Sequence, residues 1–352
     1  MRLAPPLQPG DQIGYFSPSS PATAFAPKRT ARAQAFLRSK GFELVPGALT
    51  GKADHYRSGT ARERAEELNA LIRDPQIRCI MATIGGSNSN ALLPYLDYAA
   101  LKADPKIIIG YSDVTALLLG ISAQTNLVTY YGPALVASFG EFPPLVDQTF
   151  ASFASLLCQP AQAPYYYPLP LHWTEQRIEW ERQSHAKQTR SNECEYLGSG
   201  KLQGRLMGGN LNTIAGIWGS PYMPAIERGD ILFIEDSMKD AATIERSFVF
   251  LKLNGVFDRI KAVILGKHEL FDDLGTGRTP LDILHEVLDG QRLPVVNGFD
   301  CSHTHPMFTL PLGLDVAIDF DKQRISLEQP WLASAQSHLS ATVTTLPLPQ
   351  AV

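Results

Sequence analysis

No basic run occurs anywhere in this sequence of 352 residues, whose 31 Lys and Arg are scattered among 35 Asp and Glu for a formal net charge of -4. A protein that tracks a phosphate backbone needs a clustered cationic face, so nucleic acid is not an expected partner. No apolar stretch approaches the roughly 20 residues that span a bilayer, and no membrane partner is expected. The opening, MRLAPPLQPGDQIGYF, lacks a basic segment followed by an apolar one, so it does not read as an export signal. Four cysteines (Cys79, Cys158, Cys194, Cys301) stand far apart with no CxxC pair. They read as reduced thiols rather than a disulfide framework or a zinc site, and the expected compartment is the cytoplasm. HExxH, GxGxxG and GxxxxGK[ST] are all absent, so neither a metal nor a nucleotide cofactor is expected.

What remains is ordinary globular composition, 44% hydrophobic and 19% charged, in a chain long enough for roughly two domains. Apolar runs alternate with amphipathic stretches. DQIGYF (11–16) and FELVPG (42–47) read as strands, with a helix from Pro27 to Lys40 between them that Gly41 ends. Thr60 and Glu63 form a capping-box pattern, after which Ala65, Leu68, Leu71 and Ile72 recur at helical spacing. CIMATI (79–84) and KIIIGYS (106–112) are nearly continuous apolar runs, as strands buried on both faces of a parallel sheet require. The expected fold is therefore α/β: an N-terminal doubly wound parallel sheet and a smaller C-terminal α/β domain carrying DILFIED (230–236), AVILGK (262–267) and LPVVNGF (293–299). The expected division is 1–158, an interdomain connection and substrate loop over 159–200, 201–333, and a loosely packed tail over 334–352.

Four segments carry chemistry. In IIIGYSDVTALLLG, Ser112 sits between an apolar strand and a helical run, the position of a nucleophile elbow. Only the first half of GxSxG is present, and Ser112 or Asp113 in that place equally suits a helix cap. In TIGGSNSN, Gly85 and Gly86 allow close backbone approach, whether for an oxyanion or for an ordinary turn. In GDILFIED, Glu235 and Asp236 end an apolar strand, where α/β sites collect catalytic groups and where solvated carboxylates also occur. In FDCSHTHPMFTLPLG, His303 and His305 lie in a turn held by Pro306 and Pro311, and one of them is a candidate general base.

Order and spacing of the four segments together resemble the L,D-carboxypeptidase family of serine peptidases, most closely its microcin C self-immunity branch. The resemblance runs from GDQIGYFSPSSP to SHTHPMFTLPLG. It implies Ser112 as nucleophile in G-Y-S-D, Glu235 in I-E-D and His303 in H-T-x-P-x-x-T-L-P-x-G, with Ser302 where the family has glycine. His305 falls at a variable position and is not expected to be catalytic. The implied oxyanion hole is formed by the backbone N–H groups of Gly86 and Asp113. The chain order Ser, Glu, His is that of α/β-hydrolases, here with the nucleophile in one domain, its partners in the other and the site in the cleft between. The segment IGGSNSN sets the chain apart from the peptidoglycan-recycling branch. The self-immunity branch further implies a loop tryptophan that stacks on a nucleobase, Trp180 with Trp173 as fallback. It also implies that Gly85, Asn212 and Lys239 hold substrate groups, and that the chain is a homodimer.

The expected enzyme is a serine-type carboxypeptidase with a Ser-Glu-His triad and no cofactor. It is expected to cleave an amide of acidic aminoacyl or peptidyl nucleotides through an acyl-enzyme. Murein tetrapeptide L,D-carboxypeptidase is the alternative activity, and a two-domain small-molecule binding protein the alternative without catalysis.

Overall fold

A computed structural model describes residues 1–334. Of the tail expected over 334–352, all but Ser334 lies outside the described residues. Five strands, β1 (Gln12–Phe16), β2 (Glu43–Pro46), β3 (Ile77–Ala82), β4 (Ile107–Gly110) and β5 (Thr129–Tyr131), run parallel in the first sheet. They are the expected apolar runs, trimmed by a residue or two at 11–16, 42–47 and 106–112 and shifted two residues earlier at 79–84, plus β5. Helices Pro27–Ser39, Ala61–Arg73 and Thr115–Thr125 cover the sheet. The Thr60–Glu63 capping box forms, with Thr60 Oγ1 accepting from Glu63 N and Glu63 accepting from Thr60 N.

Among the described residues the second sheet has eight strands. Its centre is parallel: β6 (Lys201–Asn210), β7 (Ile231–Glu235), β8 (Ala262–Gly266) and β9 (Val295–Phe299). β10 (Leu310–Leu312) then crosses back to pair antiparallel with β5, so the last part of the chain completes the first sheet. β11 (Asp315–Asp319) and β12 (Arg324–Leu327) return to the second sheet beside β6. The architecture is two α/β domains, an N-terminal wound sheet and a smaller C-terminal one.

The stretch 159–200, expected as irregular connection, contains short strands. Tyr165–Tyr166 and Glu195–Leu197 edge the second sheet, and His172–Trp173 pairs with Arg190–Ser191. Two-residue strands leave no periodic trace in a sequence, which is why they escape it. β6 escapes for another reason, since Gly204, Gly208 and Gly209 interrupt its apolar pattern. Gly208 and Gly209 have φ of 134° and 143°, open chiefly to glycine. A Cβ on Gly209 would lie 2.6 Å from Thr115 Cγ2, so the glycines let β6 dock against the start of the helix that follows Ser112.

Candidate active site

β4 and β7 point their carboxyl ends into one cleft, where ligand sites of wound sheets form. Ser112 follows β4 at the first residue of a tight turn, Ser112–Val114, that leads into the helix Thr115–Thr125. Its φ is +61°, a left-handed conformation that costs a non-glycine residue on the order of 1–2 kcal/mol. Two contacts hold the turn. Ser112 N–H donates to the Tyr131 hydroxyl at 3.0 Å, and Thr115 Oγ1 donates to Ser112 O at 2.7 Å. Gly85 faces the same turn; a Cβ there would come within 2.8 Å of Ser112 Cβ and 3.0 Å of Asp113 N. Gly86 has φ 147°, and a Cβ on it would overlap the Ser19 hydroxyl.

Glu235, the last residue of β7, is fully buried. A bare carboxylate there would cost several kcal/mol, so its partners decide its state. Oε2 accepts from His303 Nδ1 at 2.7 Å, and Oε1 accepts from the Tyr131 hydroxyl at 2.5 Å and Asn210 Nδ2 at 3.1 Å. Burial pushes the carboxyl up; the facing His303 charge and these hydrogen bonds outweigh it and leave Glu235 below its ordinary pKa. Because an ionised carboxylate only accepts, His303 Nδ1 carries a proton and Nε2 of the neutral ring accepts from Ser112 Oγ at 2.9 Å. Burial would lower the imidazole's pKa, but Glu235 overrides it and holds the ring above its ordinary value. Tyr111 packs edge-on against the ring at 4.9 Å. Ser302 keeps a negative φ and shares a hydrogen bond of 2.9 Å with Thr304 Oγ1, so the serine in place of glycine leaves His303 within reach of Ser112.

Asp113 ties the loop after the two glycines to the turn, its Oδ2 accepting from Asn88 N and Ser89 N at 2.9 Å each. Asp236 braces the other wall, Oδ1 accepting from Asn210 Nδ2 at 3.2 Å and Oδ2 from Asn212 N at 3.1 Å. Burial and then the neighbouring Glu235 charge raise Asp236 above its ordinary pKa.

These groups open onto a cavity of about 710 Å³, lined among others by Gly85, Gly86, Ser112, His303, Trp180, Asn212 and Lys239. The expected site residues thus share one cavity, apart from Glu235 and the Asp113 side chain, which lie behind its wall. Trp180 stacks on Phe25 at 6.0 Å and covers the Arg29 guanidinium at 4.7 Å while still lining the cavity. Trp173 is not in that lining; it lies against Arg190 and Lys267. His305 does line the cavity, beside Lys187. Tyr131, Asn210 and Glu269 were missed in the sequence. Tyr131 and Asn210 end strands next to β4 and β7, and that position was the one available signal. Among the described residues no cluster of three or more His, Cys, Asp or Glu is arranged to hold a metal. None of their helices is long and apolar enough to cross a membrane.

Residues 13–132 match the LD-carboxypeptidase N-terminal domain and 203–318 the C-terminal domain. The Vibrio cholerae protein VC_A0337, which bears a provisional carboxypeptidase name, is 63% identical over 94% of this chain and 99% of its own. The microcin C7 self-immunity protein MccF of Escherichia coli is 58% identical over 94% of this chain and 97% of its own. The structure of MccF without ligand superposes with a TM-score of 0.93, covering 95% of this chain and all of the other. MccF has also been solved with aspartyl sulfamoyl adenosine, with glutamyl sulfamoyl guanosine and, as a tryptophan-to-phenylalanine mutant, with adenosine monophosphate. Its active-site mutant replaces a serine, an asparagine and a lysine by alanine. That finding overturns the expectation that a Ser-Glu-His triad makes up the active site: the relative's active site is defined by a serine, an asparagine and a lysine. A triad describes proton traffic at the serine but not the polar side chains that meet the substrate, and the relative's site is defined by an asparagine and a lysine as well.

Proposed function

Because the chain belongs to the LD-carboxypeptidase family and is closely related to its microcin C self-immunity branch, we propose that it hydrolyses the amide-type bond of acidic aminoacyl or peptidyl nucleotide conjugates. The observation that carries the reading is Ser112 Oγ, 2.9 Å from an imidazole nitrogen, at the wall of a cavity that also presents Trp180, Asn212 and Lys239. Serine is a poor nucleophile until a base takes its proton, and His303 Nε2 is the group within reach. Ser112 Oγ attacks the acyl carbonyl carbon as its proton passes to His303. The oxyanion is met by the N–H groups of Gly86 and Asp113. The carbon–nitrogen bond then breaks, His303 protonates the departing nitrogen, and water repeats the attack on the Ser112 ester. Asn212 and Lys239 hold the polar groups of the conjugate, and Trp180 offers a face to the base. That MccF has been solved with acidic aminoacyl groups on sulfamoyl nucleosides supports this reading.

Incubating the protein with aspartyl sulfamoyl adenosine tests the reading. The expected products are aspartate and sulfamoyl adenosine. Ser112→Ala is expected to abolish turnover without lowering the melting temperature, and retained turnover would refute Ser112 as nucleophile. Faster cleavage of a murein tetrapeptide at its terminal D-alanine would select the cell-wall activity instead. Tight binding without any turnover or serine labelling would select a binding protein. We also propose a cytoplasmic homodimer, the state the family resemblance implies; light scattering that returns the mass of one chain would exclude the dimer.

A further inference from the structure

The segment that joins the domains makes an excursion between two short strands. His172–Trp173 and Arg190–Ser191 pair with each other, so residues 174–189 form a closed loop of the Ω type. Four of its side chains land on the start of helix Pro27–Ser39 or on the residue paired with it. Trp180 stacks on Phe25 at 6.0 Å and covers the Arg29 guanidinium at 4.7 Å. Glu181 accepts from Lys28 N at 3.1 and 3.3 Å through its two oxygens, and from Arg29 N at 3.3 Å. Gln183 accepts from Arg29 Nη1 at 2.5 Å and donates to Glu141, which Lys187 also meets at 3.2 Å.

That helix needs what Glu181 brings. A helix leaves its first N–H groups without partners inside the helix, and a Ser, Thr, Asp or Asn at the N-cap ordinarily covers one of them. Here the N-cap is Ala26, whose side chain accepts nothing, and Pro27 has no N–H. Thr30 N begins the ladder by donating to Ala26 O at 2.9 Å, so Lys28 and Arg29 carry the two orphan donors. The Glu181 carboxylate meets both and faces the positive end of the helix dipole. A cap is thus supplied by a residue 153 positions further along the chain, next to the tryptophan that lines the cavity. The ring contacts of Trp180, with Arg29 and with a Phe25 that is 51% exposed, are weak on their own. Gln183 and Lys187 are committed to the buried Arg29–Glu141 pair, and removing either would strand buried charge. Glu181 is half-buried, and the N–H groups it would leave behind can turn to water. We propose that Glu181 is the positioning residue for Trp180: by capping helix Pro27–Ser39 from outside, it clips the loop to the first domain and fixes the indole at the cavity. This rests on the function proposed above, in which Trp180 meets the base.

Calorimetry on protein carrying Ser112→Ala compares aspartyl sulfamoyl adenosine with its abasic counterpart, aspartyl sulfamoyl ribose. The further changes are Glu181→Ala, Trp180→Ala and the two together. Glu181→Ala is expected to weaken the adenosine compound about 2- to 30-fold, the range of one lost helix cap, and to leave the abasic compound within about twofold. The double variant is expected to bind no more weakly than Trp180→Ala alone, because both changes remove the same contact. Glu181→Gln, which keeps an acceptor oxygen, is expected to restore part of the affinity. Equal losses for the two compounds, or additive losses in the double variant, would make Glu181 a general support and overturn the proposal. If Trp180→Ala weakens the adenosine compound and Glu181→Ala does not, the clip fails while the stacking of Trp180 on the base stands. If Trp180→Ala itself changes nothing, the stacking fails and the proposal with it. Amide exchange on the unliganded protein reads the clip without any ligand. Glu181→Ala is expected to speed exchange at Lys28 and Arg29 and across 179–187 together. Faster exchange confined to Lys28 and Arg29 would make Glu181 a helix cap and nothing more, which also overturns the proposal.

Discussion

Tyr131 joins both ends of the proton path through one oxygen. Its hydroxyl accepts from Ser112 N–H and donates to Glu235, so the φ of Ser112, the proposed nucleophile, and the orientation of the carboxylate depend on the same atom. Burial, then the Glu235 charge, push this phenol well above its ordinary pKa, so it stays a donor. Tyr131→Phe would leave Ser112 N–H unpartnered and remove one of the two donors on Glu235 Oε1, each group costing about 1–3 kcal/mol. A lower melting temperature is expected, with kcat reduced roughly 10- to 100-fold and KM nearly unchanged. Unaltered kcat would show that the hydroxyl positions nothing. The expected pH profile follows from the proposed role of His303 as base. Glu235 holds that imidazole above its ordinary pKa against burial, and a base acts only when unprotonated, so kcat/KM falls as pH drops through the raised value. Glu235→Gln removes the charge and leaves burial in control, which moves the acid limb to lower pH with a reduced plateau. A limb that stayed in place would mean that another group titrates there.

At the scale of elements, the segments bearing Ser112 and Glu235 were legible because each follows an apolar run that can only be a buried strand. The His303 segment stood out by its two histidines, and only the resemblance chose between them, since the turn has no period. β6 was not legible, although it positions Asn210 and docks the second domain on the Ser112 turn, because the glycines that allow the docking erase the apolar pattern. Lys187 and Trp180 lie in a stretch without period, where only the folded loop reveals which side chains turn inward. The glycine strand makes its own prediction. In Gly209→Ala the new methyl meets Thr115 Cγ2 at 2.6 Å in a backbone of φ 143°, so both sterics and conformation oppose it. A loss of at least about 2 kcal/mol in denaturant unfolding is expected, together with a fall in kcat as the Asn210 N to Thr115 Oγ1 bond of 2.9 Å is disturbed. Wild-type stability in this variant would mean that β6 is free to shift.

Across the whole molecule, the expectation of domains that follow one another along the chain meets a fold in which the chain returns. β10 adds to the first sheet, and Trp331 is buried against that domain, its Nε1 donating to Leu156 O at 2.6 Å while Tyr130 Oη donates to Trp331 O at 2.7 Å. Ala333 N–H donates to Ala4 O at 2.9 Å, so the two ends of the described chain are tied together. The N-terminal sheet therefore lacks an edge strand and a core tryptophan until most of the chain has been made. Separate unfolding of the two domains would require β10 and Trp331 to leave the first while the second stayed folded. Calorimetry is accordingly expected to show one transition rather than two. Trp331→Ala, at roughly 3–5 kcal/mol for a buried tryptophan, is expected to lower that transition as a unit. If the substitution instead split off an early transition, the first domain would be shown to unfold alone, and the shared strand would not couple the halves of the active site.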